Sequence, residues 1–434
     1  MVINKLLLTN YRCFENLEVE FNEKLSVIVG ANGAGKTTVL EGASVALGTF
    51  FTGIDDASGV SISPGDAHMK VFPMGESDDV QPQYPVGITA TGEENGRTIT
   101  WKRSLNGKNG KTTIVEAAQM IAVAKEYQDR LRAGDKTLVL PLIAYYGTGR
   151  LWDYHREKKS DVFKGNKKTN GYINSLDGTA NLKLMMNWFR KKTVQMYQKL
   201  PVGLKSSNEL VTVYSSMEKC YKLVTGKENK IIYNLDTNEI NCCYKDENGL
   251  QMCMPLSLMS DGYKGTLSLI ADIAYRMVVL NPQLSSSALS ETPGVVLIDE
   301  IDLHLHPAWQ HRILADLQAI FPKLQFIVTT HAPAVISSVK SENLVILGKD
   351  GVTDVAAQTY GNDANTILTD VMGVTERNPE VASLFARFEE LLVQKQFDEA
   401  EKVLDTIDEQ RDFHDKEVVA DRVKLRVERI RGGS

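Results

Sequence analysis

Four short stretches of this 434-residue sequence carry side chains of the types and spacings that suit phosphate chemistry. The first, VIVGANGAGKTTV at 27–39, fits G-x-x-x-x-G-K-[ST] with Gly30, Gly35, Lys36 and Thr37 at the fixed positions, and with Ala31, Asn32, Gly33 and Ala34 between them. Glycines let backbone N–H groups converge on phosphate oxygens, and a helix starting at Lys36 would point its positive end at the same place. Lys36 reaches the outer phosphates, and the Thr37 hydroxyl, followed by Thr38, can ligate Mg²⁺. The second stretch, GVVLIDEID at 294–302, is an apolar strand ending in Asp299, placed to hold the metal shell, and Glu300, placed as general base on the attacking water. The third, KLQFIVTTHAPAV, is another buried-strand pattern and brings His331 to a strand tip, where it can sense a terminal phosphate. In the fourth, MSDGYKG, Ser260, Asp261 and Gly262 open an amphipathic helix whose N-terminus offers a second set of phosphate-binding groups.

Two neighbouring patterns are weaker. GKNGKTT at 107–113 lacks the four-residue spacer and a preceding strand, so it reads as a polar turn. HLHPAWQH places His304, His306 and His311 at usable metal spacing, yet no separate carboxylate accompanies them, and Pro307 more simply starts the next helix.

The elements that must position these groups are an α/β core of buried strands, each leading into a phosphate-facing loop, with an insert between the first motif and the rest. About 260 residues separate Lys36 from Asp299, with Gly and Pro recurring and no sustained heptads, which predicts a compact lobe rather than a coiled-coil arm. We read a strand pair around VGITATGEENGRTITWKRS and an amphipathic helix at 112–133. A buried strand at 137–146, helices near 179–200 and 207–224, a hairpin in KIIYNLDTNEINCCY turning near Asn238, and a loop at 281–293 follow. The expected domains are a discontinuous head at 1–50 and 255–350, an inserted lobe at 51–254, and a C-terminal helical segment at 351–431, a candidate docking region for a partner.

The net charge of −6 excludes a chain that is basic throughout, so charge is read by segment. Residues 51–96 carry eight acids against Lys70 alone, whereas 150–205 are basic and carry Trp152, Tyr154, Phe163 and Trp188. Cations beside stacking rings suit a nucleic acid, with Lys158, Lys159, Lys164, Lys167, Lys168, Arg190, Lys191 and Lys192 as candidates; a solvated face with inward aromatics is the other reading. Five cysteines without a C-x-x-C pair suggest neither a disulfide framework nor a zinc ribbon. No stretch approaches the roughly 20 apolar residues of a membrane span, and the first residues hold too short an apolar run for a signal peptide, so the cytoplasm is expected.

Taken together, GANGAGKT, MSDGYKG, VVLIDE, IDLHLHP and TTHAP resemble an ABC-type ATPase of the branch that includes the RecF, SMC and OLD proteins. That resemblance implies an ABC-type P-loop core, ATP and Mg²⁺ as ligands, and a head-to-tail dimer in which Ser260 and Gly262 of one protomer cap the nucleotide of the other. SDGYK stands where transporter subunits carry SGGQ, and LPLIAYYGTGRLW lies about where a Q-loop glutamine is expected without supplying one.

After His331 the chain has no D-x-D of the kind that serves the nuclease domain of OLD proteins, so no intrinsic nuclease site is predicted. Amphipathic helices near 378–394, 397–408 and 414–429 follow, forming either a satellite bundle or a docking face. With YGNDANTILTDVMGVTERNP before them, the chain resembles the PtuA ATPases of Septu antiphage systems, whose partner is a separate HNH nuclease, PtuB. Two other functions share these motifs: a RecF-like DNA-repair clamp with no nuclease partner, and a nucleotide-sensing scaffold with little turnover.

Overall fold

The computed structural model describes residues 1–74, 77–151, 167–178, 182–199, 208–246, 248–348, 351–353, 359–363, 366–367, 369, 379–409 and 416–432. Its contacts divide the chain into two compact units, Met1–Ala364 and Asn365–Ser434.

Two sheets organise the first unit. One is antiparallel, in the order β2 (Phe14–Glu20), β1 (Val2–Tyr11), β6 (Val86–Glu94), β7 (Arg97–Leu105). The other has six strands, in the order β15 (Gly351–Thr353), β14 (Leu344–Gly348), β3 (Leu25–Gly30), β13 (Leu324–Thr329), β12 (Gly294–Ile298), β8 (Leu142–Tyr146). All neighbours in it are parallel except β15, which runs antiparallel to β14. β3, β8, β12 and β13 are buried at every residue, because layers cover both faces of a parallel sheet and a continuous apolar run is the pattern that survives there.

Helix α1 (Lys36–Leu47) touches strands of both sheets. It approaches β1 so closely that a Cβ on Gly42 would lie 2.7 Å from a Leu8 methyl. At its far end the buried Trp101 indole donates to the Ala46 carbonyl at 2.9 Å, fixing β7 against the last turn.

Helix α2 (Ala118–Arg132) packs on β7, and α3 (Leu182–Lys199), α4 (Asn208–Thr225) and α5 (Asp261–Leu280) pack together. A three-stranded antiparallel sheet, β11 (Gln251–Pro255), β10 (Glu239–Lys245), β9 (Asn229–Asn234), lies on α4. A buried ion pair joins α5 to the six-stranded sheet: Arg276 donates to Asp272 at 2.7 Å and to the Gly171 and Ile173 carbonyls, and the Tyr146 hydroxyl donates to Asp272 at 2.8 Å. Burial by itself pulls the Arg276 pKa down, but Asp272 outweighs it and holds the guanidinium above its ordinary range.

Several expectations change here. β6, β7 and β8 fall inside the span assigned to the insert, yet β6 pairs with β1, β7 with β6 and β8 with β12, so they extend the two sheets to which the head's own strands belong. β15 likewise extends the head sheet beyond residue 350. The 281–293 segment is two short helical turns rather than a loop. The Asn281 side chain pairs with the Leu140 backbone in both directions, at 2.8 and 2.9 Å, and anchors it. Cys243 and Cys253 stand directly opposite each other in the β10–β11 register and are joined as a disulfide, which spacing alone did not indicate. A ribbon of β4 (Met69–Met74) and β5 (Ser77–Pro82) was not anticipated.

In the second unit, helices Pro379–Val393, Phe397–Glu409 and Lys416–Gly432 share a core of Phe388, Leu391, Leu392, Ala400, Val403, Leu404, Ile407, Val418 and Leu425. The amphipathic faces read from the sequence therefore cover one another, as in a satellite bundle.

Candidate nucleotide site

The phosphate loop runs from the end of β3 into α1. Gly33 and Gly35 sit at φ +81° and +92°, the left-handed region that costs other residues strain. A Cβ on Gly35 would also meet the Phe14 ring at 2.3 Å, so the turn after β1 leaves room only for glycine. The first turn of α1 has no acidic residue, and its free N–H groups open toward the loop. The buried Lys36 folds its ammonium over the loop, donating to the carbonyls of Gly30 at 2.9 Å and Ala31 at 3.0 Å. Burial pulls its pKa down, while the charges of Asp299, Glu300 and Asp302 work against that.

Beside the loop, β3, β13 and β12 run in parallel register and set three C-terminal ends together. Thr37 Oγ1 donates to Asp299 Oδ2 at 2.8 Å, bridging the phosphate loop to the acid strand. Two hard oxygen donors in contact at a helix start match the preference of Mg²⁺ for oxygen ligands. The Asp299 backbone N–H is held by the Tyr146 carbonyl of β8 at 2.8 Å. Glu300 follows with φ +47°, an unusual conformation for a residue with a Cβ.

What holds that turn is Thr329, the fully buried last residue of β13. Its hydroxyl donates to Asp299 Oδ1 at 2.6 Å and accepts the Glu300 N–H at 2.8 Å, and its carbonyl takes the Ile301 N–H at 2.9 Å. Thr330 then donates to Asp302 Oδ1 at 2.6 Å, and the His331 N–H lies 3.4 Å from the same oxygen. Burial first, and the Lys36 charge second, lower the His331 pKa below the ordinary imidazole value. Neither Thr329 nor Asp302 was singled out from the sequence; the quoted runs IVTTHAP and LIDEID contain them, but only the register places them together.

Ser260, Asp261 and Gly262 start α5, with Ser260 extended at the N-cap position and Asp261 in the first turn. A Cβ on Gly262 would come within 2.8 Å of the His304 carbonyl, and Tyr263 packs edge-on against Trp309 with centroids 4.2 Å apart. The signature-like turn therefore packs on the segment after the acid strand and, through Tyr263, on Tyr221 of α4. Among the described residues, no cluster of three or more His, Cys, Asp or Glu side chains could hold a metal ion.

The basic segment is described only in part. Lys158, Lys159, Lys164, Trp152, Tyr154 and Phe163 lie outside the described residues. Of the rest, Lys167 pairs with Asp56 at 2.7 Å and Lys192 pairs with Glu209. Trp188 packs edge-on against Tyr275 of α5 rather than offering a free stacking surface.

A glycine-rich loop, a threonine that meets the aspartate of the neighbouring parallel strand, and a threonine–histidine strand end together make the phosphate and metal side of a P-loop ATPase site. A family model described as "AAA domain" matches residues 5–221, half of the chain, and a second AAA-domain model matches 202–337. The chain belongs to the AAA-domain family. It is 25% identical over 443 residues to the retron Vc95 probable ATPase of Vibrio cholerae serotype O1 biovar El Tor, covering 91% of this chain and 84% of that one. It is 27% identical over 440 residues to the retron Ec83 probable ATPase of Escherichia coli, covering 86% and 76%. To the Septu protein PtuA of Bacillus thuringiensis it is 26% identical over 413 residues, covering 90% and 89%. Among the described residues no helix is long and apolar enough to cross a membrane.

Proposed function

We propose that the protein is the ATP-hydrolysing subunit of an antiphage defence complex of the Septu kind, that it acts in the cytoplasm, and that it governs a separate HNH-type nuclease through its nucleotide state. The observation that carries the enzymatic part is the Thr37–Asp299 contact at 2.8 Å, which makes one site of the phosphate loop and the acid strand. The likeness to PtuA and to two retron ATPases across most of each chain supports the biological setting.

In this reading the loop N–H groups of residues 30–38 cradle the phosphates, and Lys36 turns from its two loop carbonyls to the terminal phosphate oxygens. Thr37 and Asp299 would hold Mg²⁺, which supplies charge neutralisation across the β- and γ-phosphates. Glu300 orients the attacking water and accepts its proton, and His331 reports the γ-phosphate. The exposed Ser260 and Asp261, with the buried Gly262 behind them at the start of α5, serve the nucleotide of a partner protomer, so two ATP molecules close a head-to-tail dimer.

Glu300→Gln tests the assignment: ATP still binds, turnover falls by on the order of a hundredfold or more, and a dimer accumulates at saturating ATP, as read by light scattering. Lys36→Ala instead weakens ATP binding. Unchanged turnover in both variants defeats the mechanism. Co-purification with the neighbouring gene product, followed by cleavage assays with ATP varied, tests the partner.

A further inference from the structure

A second open cavity lies away from the nucleotide. Helix α4, the turn that leads from it into β9, and strand β10 enclose a cleft of about 850 Å³. Five lysines line it, Lys219, Lys222, Lys227, Lys230 and Lys245, with Tyr244 on the β10 wall. The three acids of its lining are already used. Glu228 pairs with Lys222 at 2.5 Å, Glu218 takes the Ile231 N–H at 3.0 Å and pairs with Lys230, and Asp246 closes its own turn through the N–H groups of Asn248 and Leu250. Lys219 donates to the Ala319 carbonyl. Among the described residues, the exposed ammonium groups of Lys227 and Lys245 have no acidic partner. The wall behind them is aromatic: Tyr244 stacks on Tyr221 at 5.9 Å, Tyr221 lies 5.8 Å from Tyr263, and Tyr263 meets Trp309.

We propose that this cleft binds a single-stranded nucleic acid, with phosphates at Lys227 and Lys245 and a base against Tyr244. Surplus cations along a groove together with a ring face are the two features by which proteins hold single strands without reading sequence. The volume lies in the range of small-ligand pockets, and a ring face offered to a base serves an unpaired strand, whose bases are free to stack on it. The site also begins a row of rings that ends at the signature-like turn, so a bound strand would rest on a wall continuous with that turn. The proposal stands apart from the ATPase assignment, since the strand is bound here without nucleotide.

The test is anisotropy of a fluorescent oligodeoxythymidine, and of an RNA strand of the same length, over a salt series. Lys227→Glu with Lys245→Glu lowers affinity at least about tenfold. The slope of log affinity against log salt becomes shallower by roughly 0.7 per lysine, about 1.4 in all. Tyr244→Leu weakens binding while leaving that slope in place. Turnover of ATP without a strand is unchanged in the lysine variant, which shows that its nucleotide head is intact; if the charge-reversed protein fails to fold, the double alanine variant carries the same slope measurement. An unaltered affinity and slope in the lysine variant overturns the proposal. So does a cleft that takes up polyglutamate and ignores both strands.

Discussion

One hydroxyl, that of Thr329, links the Asp299 carboxylate to the backbone of Glu300. It orients Asp299 by donating to it and pins the left-handed Glu300 by accepting from it. Thr329→Val keeps the shape and removes both bonds. Partners that orient a metal ligand typically matter by 10–100-fold, so turnover should fall by about that factor, metal-free ATP binding should hold, and Thr329→Ser should recover most of the loss. A loss of ATP binding alone, with turnover at saturation intact, would count against this role. The sequence made Lys36, Thr37, Asp299, Glu300 and His331 legible because each sits at a fixed offset in a recognisable run. Thr329 and Asp302 carried no such offset. Their importance arises from the one-step register between β12 and β13, which pairs Ile298 with Val328 and so brings the residues beyond each together.

At the scale of elements, β3, β12 and β13 were readable because strands buried on both faces are dominated by apolar residues. The strand at 142–146 was readable for the same reason, but its place beside β12 was not, since no local signal says which sheet a strand joins. Its commitment there is reinforced by the Tyr146–Asp272–Arg276 cluster. Arg276→Leu leaves Asp272 buried without its charge partner and should lower stability by about 3–5 kcal/mol, measured by denaturant unfolding. The cysteines give a chemical readout of the three-stranded sheet and α4. Burial pushes the Cys220 thiol up to about 12 and Cys242 up to about 11, whereas Cys13 is exposed. The thiolate is the reactive form, and a raised pKa leaves little of it below the raised value. At neutral pH, native alkylation followed by mass spectrometry should therefore mark Cys13 alone, with Cys220 and Cys242 added on unfolding and Cys243 and Cys253 only after reduction. Native labelling of Cys220 would contradict the packing of α4.

For the molecule as a whole, the division into Met1–Ala364 and Asn365–Ser434 predicts that a chain ending at residue 364 retains ATP binding, because every nucleotide-facing residue and all six strands of the central sheet precede that point. Isothermal titration of the shortened chain checks this; loss of binding with a preserved melt would tie the helical unit to the site. The three-helix unit was visible in the sequence as amphipathic stripes, and only packing could show that the stripes face one another. The central sheet also sets a schedule for synthesis. β3, which delivers the phosphate loop, has β13 and β14 as its two neighbours, and Leu25 aligns with Phe326, some 300 residues later. At ribosomal speeds of about 5–20 residues per second, the strand leaves the exit tunnel on the order of 15–60 s before either flank exists. Through that interval an apolar hexapeptide with two open edges must be shielded, which makes the newborn chain a natural client for chaperones and makes stalling between residues 30 and 320 the step most prone to aggregate.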